Sequence, residues 1–451
     1  MKVALVVLGV GIVVGAFFLL NGEGVLTFAP DGSVNGSFEK SVESTSTLSI
    51  SSGVGNSSGT LPKGGVNTTS TLKNQDIEKQ LPLTSSPLEI KAIYATNWTA
   101  GSPQRIKRLI DFVDKTELNA IVIDIKDYSG FLGYRTGIAD AKAIGAEKDI
   151  RILRPNALIK ELHDHGIYVI GRIAVFEDSL LANARPGWAL QNKVTGGIWK
   201  DHKGLAWLDP SVSDVWDYNI AITKDALSRG FDEINFDYIR FASDGDLANI
   251  GYPGWDQKTS KATVIKKFFK YLRENLPGAK ISADFFGLTT INYDDLGIGQ
   301  VLESAYQYFD FVAPMVYPSH YAPGFLGYKS PANFPYEVVK YSLENAVKRL
   351  KNYGIPRVSN ASSTASSTDA NATSAVLSEN IPKTNAKLRP WLQDFNLGAT
   401  YDAPMVRKQI QATYDSATGT PHLMNGWMLW NPSNEYTAGA LDLQTPSSSH
   451  D

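Results

Sequence analysis

Along most of the chain the apolar positions switch between two periods. Short runs rich in β-branched and aromatic residues alternate with longer stretches whose apolar residues recur every three or four positions. That alternation is the mark of strands interleaved with amphipathic helices. Strands are predicted over 90–96, 120–126, 168–175, 233–238, 280–285, 311–317, 388–395 and 426–431. Helices are predicted over 103–115, 155–165, 213–228, 259–275, 298–308, 335–353 and 403–416, with a short one near 435–441. Pro103, Pro155 and Pro335 stand at first-turn positions, where the missing N–H is not needed, and Gly166 and Gly354 stand where helices should stop. Eight β/α units in sequence predict an α/β protein of the (β/α)8 TIM-barrel type, with a doubly wound eight-stranded sheet as the alternative.

Three segments fall outside this rhythm. Residues 3–20 are an unbroken apolar run behind Met1 and Lys2. The run is long enough to span a bilayer core and longer than a usual signal-peptide core, and no clean cleavage site follows it. Residues 1–20 are therefore expected to be a transmembrane anchor, with a cleaved signal peptide as the alternative, and the positive-inside rule puts the remainder outside the cytoplasm. Residues 21–87, rich in Ser, Thr, Gly and Asn, lack the apolar surface to offset ordering entropy and are expected to be a disordered linker. The barrel domain is then expected over 88–445, with a low-complexity insertion at 359–387. That insertion falls between the sixth helix and the seventh strand, a connection at the bottom of the barrel, where a loop is cheap.

Composition narrows the chemistry. The chain has 451 residues, no cysteine and a formal net charge of −3, so disulfide frameworks, thiolate zinc sites and Cys nucleophiles are excluded and a broad electrostatic grip on nucleic acid is disfavoured. No Gly-rich phosphate loop and no nucleophile elbow is present. No cofactor and no metal is expected; the HDH triplet at 163–165 sits at a helix end on the bottom face.

Alternation along the strands identifies what faces the barrel axis. In AIVIDIK, Ile121, Ile123 and Ile125 share one face and Val122, Asp124 and Lys126 the other. In EINFDY, Asn235 and Asp237 face the axis, and in ISADFF, Ser282 and Asp284 do so. Three strands thus bring a carboxylate to their carboxyl ends, where barrels of this kind assemble their active sites. Arg172, Met315, Tyr317, Gln393 and Trp430 join them by the same argument. A structural ion-pair ring is the bland alternative. The chain also holds nine tryptophans. Trp98, Trp188, Trp199, Trp207, Trp255, Trp391 and Trp430 fall on late strands or on loops of the functional face, a placement that suits stacking on sugar rings.

The segments GFDEINFDYIRF (230–241), SADFFG (282–287), APMVYPSHYAPGFLG (313–327) and PWLQDF (390–395) together resemble the bacterial putative glycosyl hydrolase domain family, barrels related to α-amylase-type glycosidases. The resemblance runs over about residues 90–441 and implies carbohydrate cleavage. It implies a nucleophilic Asp at the end of strand four, which Asp237 matches, and an acid/base on strand five. Asp284 stands there in place of the Glu that amylases carry. A further carboxylate is implied near strand seven, where Asp394 stands beside the axis-facing Trp391 and Gln393, and His320 matches a sugar-contacting His. A chitinase-type strand-four motif is also similar, but Ile239 occupies the position of its catalytic Glu. The expected catalytic set is Asp237, Asp284 and Asp124. The expected substrate contacts are Lys126, Arg172, Asn235, Arg240, Tyr317, His320, Trp391, Gln393, Asp394 and Trp430. A non-catalytic glycan-binding barrel is the competing expectation, favoured by the missing Glu on strand five.

Overall fold

The computed structural model describes residues 75–354 and 384–444, together with the backbone of 27–28 and 34–35, which pair antiparallel. The apolar run 3–20, most of the predicted linker and most of the predicted insertion lie outside the described residues. Among the described residues no helix is long and apolar enough to cross a membrane.

The unit that holds residues 76–451 contains eight parallel strands closed into a barrel: β1 (Ile90–Ala95), β2 (Ala120–Lys126), β3 (Tyr168–Ala174), β4 (Glu233–Asp237), β5 (Ile281–Phe286), β6 (Phe311–Met315), β7 (Trp391–Gln393) and β8 (Gly426–Trp430). Each pairs with the next, and β8 returns to β1. The connecting helices are α1 (Pro103–Val113), α2 (Pro155–Asp164), α3 (Ser213–Ser228), α4 (Lys261–Asn275), α5 (Leu302–Ala305), α6 (Pro335–Lys351) and α7 (Ala403–Ser416), and a 3-10 turn at Ala438–Ala440 follows β8. This is the (β/α)8 architecture. The predicted helix over 298–308 is reduced to α5, because Leu296, Gly297 and Gly299 take positive φ and bend the chain before it. The predicted strand over 388–395 divides: Lys387–Leu388 pair with the start of β6, Pro390 offers no N–H to the ladder, and β7 resumes after it.

Two apolar layers result. Ile121, Ile123, Val169, Ile173 and Ile234 pack outward against the helices, while Ala92, Val122, Ile170, Ala313 and Met428 fill the barrel interior. The alternation fails at one place. Asp124 pairs with Arg172 but Lys126 pairs with Ile173, so β2 carries a bulge at Ile125. Both Ile125 and Lys126 then face the helices, since an extra residue inverts parity. The room comes from Gly171 on β3, where a Cβ would lie 2.2 Å from Ile125 Cδ1. Lys126 is therefore not an axis-facing substrate contact, as alternation alone predicted. Its Nζ donates to Asp178 Oδ2 at 2.7 Å, both side chains fully buried, and lies 5.5 Å from the Tyr218 ring on α3.

Residues 76–83, predicted to belong to the linker, also contact the barrel. Asp76 accepts hydrogen bonds from the backbone N–H groups of Asn156 (2.9 Å) and Ala157 (3.1 Å) at the start of α2, whose own N-cap, Arg154, offers no side-chain cap. Leu83 donates its N–H to Asp232 Oδ1 at 2.7 Å and packs its side chain against the barrel interior from below. Residues 76–83 thus close the amino-terminal end of the barrel. Asp76 acts as a cap supplied from outside the helix, so Asp76→Ala is expected to lower stability by about 1 kcal/mol, read as a lower denaturant midpoint at unchanged slope.

Candidate active site

At the carboxyl ends of the strands the inward side chains converge on one guanidinium. Arg172, from β3, is buried. Its Nη1 donates to Asp124 Oδ1 of β2 at 2.6 Å and its Nη2 to Asp237 Oδ2 of β4 at 2.5 Å. Its Nε lies 3.9 Å from Asp284 Oδ2 of β5 and has no hydrogen-bond partner among the described residues. Burial opposes the charge on Arg172, but Asp124 and Asp237 outweigh it and hold the guanidinium protonated more firmly than in water.

The three carboxyls differ in their surroundings. Asp124 also accepts the hydroxyl of Tyr94 on β1. Burial raises its pKa to about 6, with Arg172 opposing the rise. Asp237 receives, on Oδ1, the backbone N–H of Tyr238 at 2.6 Å. Asp284 is 1% exposed, and its Oδ1 accepts from Asn235 Nδ2 and from Trp391 Nε1, each at 2.8 Å. Burial, and then the negative charge of Asp237, push the Asp284 carboxyl well above the usual carboxylate range, which favours its protonated form. Gln300 braces this strand end through Phe286 N–H and the Asp284 carbonyl.

Aromatic rings wall the cluster. Trp430 of β8 stacks on Tyr94 at 3.9 Å, meets Trp391 edge-on at 5.5 Å and lies 5.1 Å from the Arg172 guanidinium. Past β6, Tyr317 packs against His320 at 5.2 Å, and both against Phe395. Burial, first of all, keeps the Tyr317 phenol protonated. Burial lowers His320 to about 4, so its imidazole is neutral above mildly acidic pH.

The structure thus brings Asp124, Arg172, Asn235, Asp237, Asp284, Trp391 and Trp430 into one contact network, with Tyr317 and His320 beside it. Other expected contacts stand outside that network. Asp394 faces away from the axis, and its two oxygens take the N–H (2.9 Å) and hydroxyl (2.6 Å) of Thr437, fastening the loop after β8. Gln393 points inward but is spent on bracing: its Oε1 accepts from Ser319 N–H and its Nε2 donates to the Phe395 carbonyl. Arg240 forms no ion pair among the described residues; it lies over the Trp207 and Phe286 rings, 4.7 Å from each. The tryptophan lining is smaller than expected. Trp199 and Trp207 are fully buried, and Trp188 and Trp255 pack against the outer core. Trp98 is 55% exposed and lies under Arg151. Trp430 and Trp391 alone touch the acid cluster. His163 and His165 pair with Asp232 and Asp114 at the bottom of the barrel.

Sequence reasoning missed Glu177. It stands just past β3, after Val175 and Phe176, at 2% exposure, with Oε1 unpartnered among the described residues. Burial raises its carboxyl to about 8, with Arg240 opposing and Asp237 adding to the rise. The signal was present in AVFEDS, a carboxylate immediately beyond a strand's carboxyl end.

A (β/α)8 barrel with carboxyls from neighbouring strands gathered at its carboxyl face defines the general class. Residues 92–360 and 357–436 match the model of the putative glycosyl hydrolase domain family, and the chain belongs to that family. No curated protein matches it. Among solved structures it is similar to a hypothetical protein from Ruminiclostridium thermocellum ATCC 27405, at 38% identity over 46% of this chain and 98% of the other, TM-score 0.39. It is also similar to the PgaB (BpsB) glycoside hydrolase domain from Bordetella bronchiseptica, at 14% identity over 80% and 100% of the two chains, TM-score 0.49. A third likeness is to the spore cortex-lytic enzyme SleL of Bacillus megaterium QM B1551, at 13% identity over 79% and 73%, TM-score 0.41.

A carboxyl whose folded pKa is raised contributes stability that is present at low pH and lost as pH rises through the folded value. For Glu177 the window runs from the ordinary glutamate range up to about 8. Urea denaturation at several pH values is expected to show wild type losing stability relative to Glu177→Gln across that window, by a few kcal/mol. An unchanged difference between the two proteins at pH 5 and pH 9 would contradict this assignment.

Proposed function

We propose that this protein is a glycoside hydrolase that cleaves a poly- or oligosaccharide with two carboxyl groups, by the retaining route. The observation that carries the reading is the unequal treatment of Asp237 and Asp284. They stand on adjacent strand ends and share one guanidinium, yet the first is ion-paired at 2.5 Å while the second lies at 3.9 Å and is pushed toward its protonated form. Two carboxyls driven apart in this way are the usual basis for separate nucleophile and acid roles. Both approach the same guanidinium, Asp237 at 2.5 Å and Asp284 at 3.9 Å, which keeps them within the range that retaining and inverting two-carboxylate glycosidases share between them.

In this mechanism Asp237 attacks the anomeric carbon while Asp284 protonates the departing glycosidic oxygen. A covalent glycosyl ester forms on Asp237, and the sugar–oxygen bond breaks. Asp284, now ionised, takes a proton from an incoming water, whose oxygen displaces Asp237 and restores both groups. Arg172 accompanies the change in charge: it balances Asp237 before attack and again after release, and Asp124 holds it in place. Trp430 offers its ring to the sugar face, and Tyr317 and His320 supply neutral hydrogen-bonding groups. The apolar run 3–20 supports a further element of the proposal, that the catalytic barrel is tethered to a membrane on its extracytoplasmic side.

Asp284→Asn is expected to lower kcat by about 10²–10⁴-fold, and Asp237→Asn by at least as much, with circular dichroism unchanged. Turnover of glycans by wild type but equally by both variants would remove the assignment, and binding without turnover in all three would favour a non-catalytic glycan-binding barrel. Wild-type activity is expected to fall on the alkaline side as Asp284 loses its proton. Cell fractionation is expected to find the full chain with membranes and a chain lacking residues 1–20 in the soluble fraction.

A further inference from the structure

Glu177 is a buried carboxyl for which the fold has no use. Its backbone is held on both sides without help from its side chain. Phe176 donates its N–H to the Tyr238 carbonyl at 3.2 Å and accepts from Leu208 N–H at 2.8 Å, and Glu177 itself bridges to Trp207. The next residue, Asp178, is fixed by Lys126 and caps the short helix Ser179–Ala184 through Leu181 N–H at 2.8 Å. The carboxyl of Glu177 is 2% exposed, with Oε1 unpartnered among the described residues. A buried polar atom without a partner is costly and is usually explained by a ligand or a catalytic role.

Its surroundings indicate which ligand. Arg240 is its principal opposite charge, yet no ion pair joins the two among the described residues. The Arg240 guanidinium is buried against Trp207 and Phe286, and its Nη1 donates to the Phe241 carbonyl (3.1 Å) and Ser243 Oγ (3.0 Å). Glu177 and Arg240 therefore meet at Trp207, the first as its backbone partner and the second over its ring, with no ion pair between them among the described residues; the half-buried residues Tyr238 and Phe286 lie beside the guanidinium. A hydroxyl group suits such an unpaired couple, since it donates and accepts at once. Aromatic rings beside a polar pair suit a sugar, which has apolar C–H faces and a polar rim.

We propose that Glu177 and Arg240 form a subsite that binds a sugar hydroxyl next to Asp237, with Glu177 exchanging a hydrogen bond with that hydroxyl and Arg240 donating to its oxygen. The subsite rests on the glycoside hydrolase reading and deepens it, by making recognition of the sugar beside the nucleophile depend on a group outside the three aspartates.

Calorimetric binding of maltohexaose, cellohexaose, chitohexaose and stachyose, with turnover measured alongside, tests it on the full chain. Wild type and Asp237→Asn serve as references. Glu177→Ala is expected to weaken binding of the preferred sugar by about tenfold or more, while Glu177→Gln, which keeps hydrogen-bonding groups, stays within about threefold. Arg240→Met is expected to weaken binding similarly, and the double variant by less than the product of the two. If Glu177→Ala does not fold, Glu177→Met, which fills the space, carries the same expectation. Binding by Glu177→Ala or Glu177→Met as tight as by Asp237→Asn overturns the subsite and leaves the hydrolase reading intact. No binding and no cleavage of any of the four sugars by wild type counts against the hydrolase reading, and the subsite falls with it.

Discussion

The top of the barrel is organised by a mismatch: one guanidinium among three carboxyls. A buried cation is tolerated only where opposite charge reaches it with good geometry, and Arg172 obtains that from Asp124 and Asp237 on its two terminal nitrogens. The fork is then occupied. Asp284 is left with Nε at 3.9 Å, outside hydrogen-bond reach, and with the charge of Asp237 nearby. The cheapest arrangement for a third buried carboxyl in that position is to keep its proton. The pull of Asp284 toward its protonated form follows from burial and the count of charges rather than from any special contact of its own. Asn235 and Trp391 fix its orientation, both donating to Oδ1 and leaving Oδ2 on the side that faces the guanidinium.

The bottom of the barrel makes a useful contrast. Glu233, four residues before Asp237 on the same strand, pairs with Arg389 through both oxygens at 2.9 and 3.1 Å, and Arg389 is further held by Asn425. Here one carboxylate meets one guanidinium, all donors and acceptors are matched, and both side chains are fully buried. Such a pair is structural. Between the two ends lies the apolar interior of Ile170, Val122, Ala313 and Met428, which excludes water and so heightens the cost of the imbalance above it. Matched and unmatched charge at opposite ends of one barrel separate the end that closes the fold from the end able to do chemistry.

Much of this was legible in the sequence, and the failures have physical causes. Strand positions were legible because each strand has its own apolar run bounded by turn residues. The three axis-facing aspartates followed from alternation, which holds wherever the ladder is regular. Lys126 did not follow, because the bulge at Ile125 depends on Gly171 of the next strand, a contact that no local pattern encodes. Tryptophan position along the chain could not separate a cleft lining from a core: Trp199 and Trp207 lie in a loop on the functional face, yet that loop folds back and buries them. The ordered segment 76–83 was hidden for the opposite reason. It contributes one cap and one leucine, too little to stand out from a polar stretch. Asp394 was suggested by resemblance against its own parity, and parity was the better guide.

The connection between β4 and its loop ties the nucleophile candidate to Glu177. Tyr238 takes φ +53, a conformation disfavoured for a residue with a side chain by about 1–2 kcal/mol. Two hydrogen bonds hold it there: its N–H to Asp237 Oδ1 and its carbonyl to Phe176 N–H. Its ring meets Trp207 edge-on at 5.9 Å, and Trp207 is the backbone partner of Glu177. The turn that orients Asp237 is therefore built on the same residues that position the unpartnered carboxyl. Strain at a strand end persists when the surroundings over-determine it, and here the loop after β3 supplies much of that determination. The long excursion after β3, with its two buried tryptophans, accordingly has a reason to pack down on the barrel: it fixes the loop that sets the geometry at Asp237.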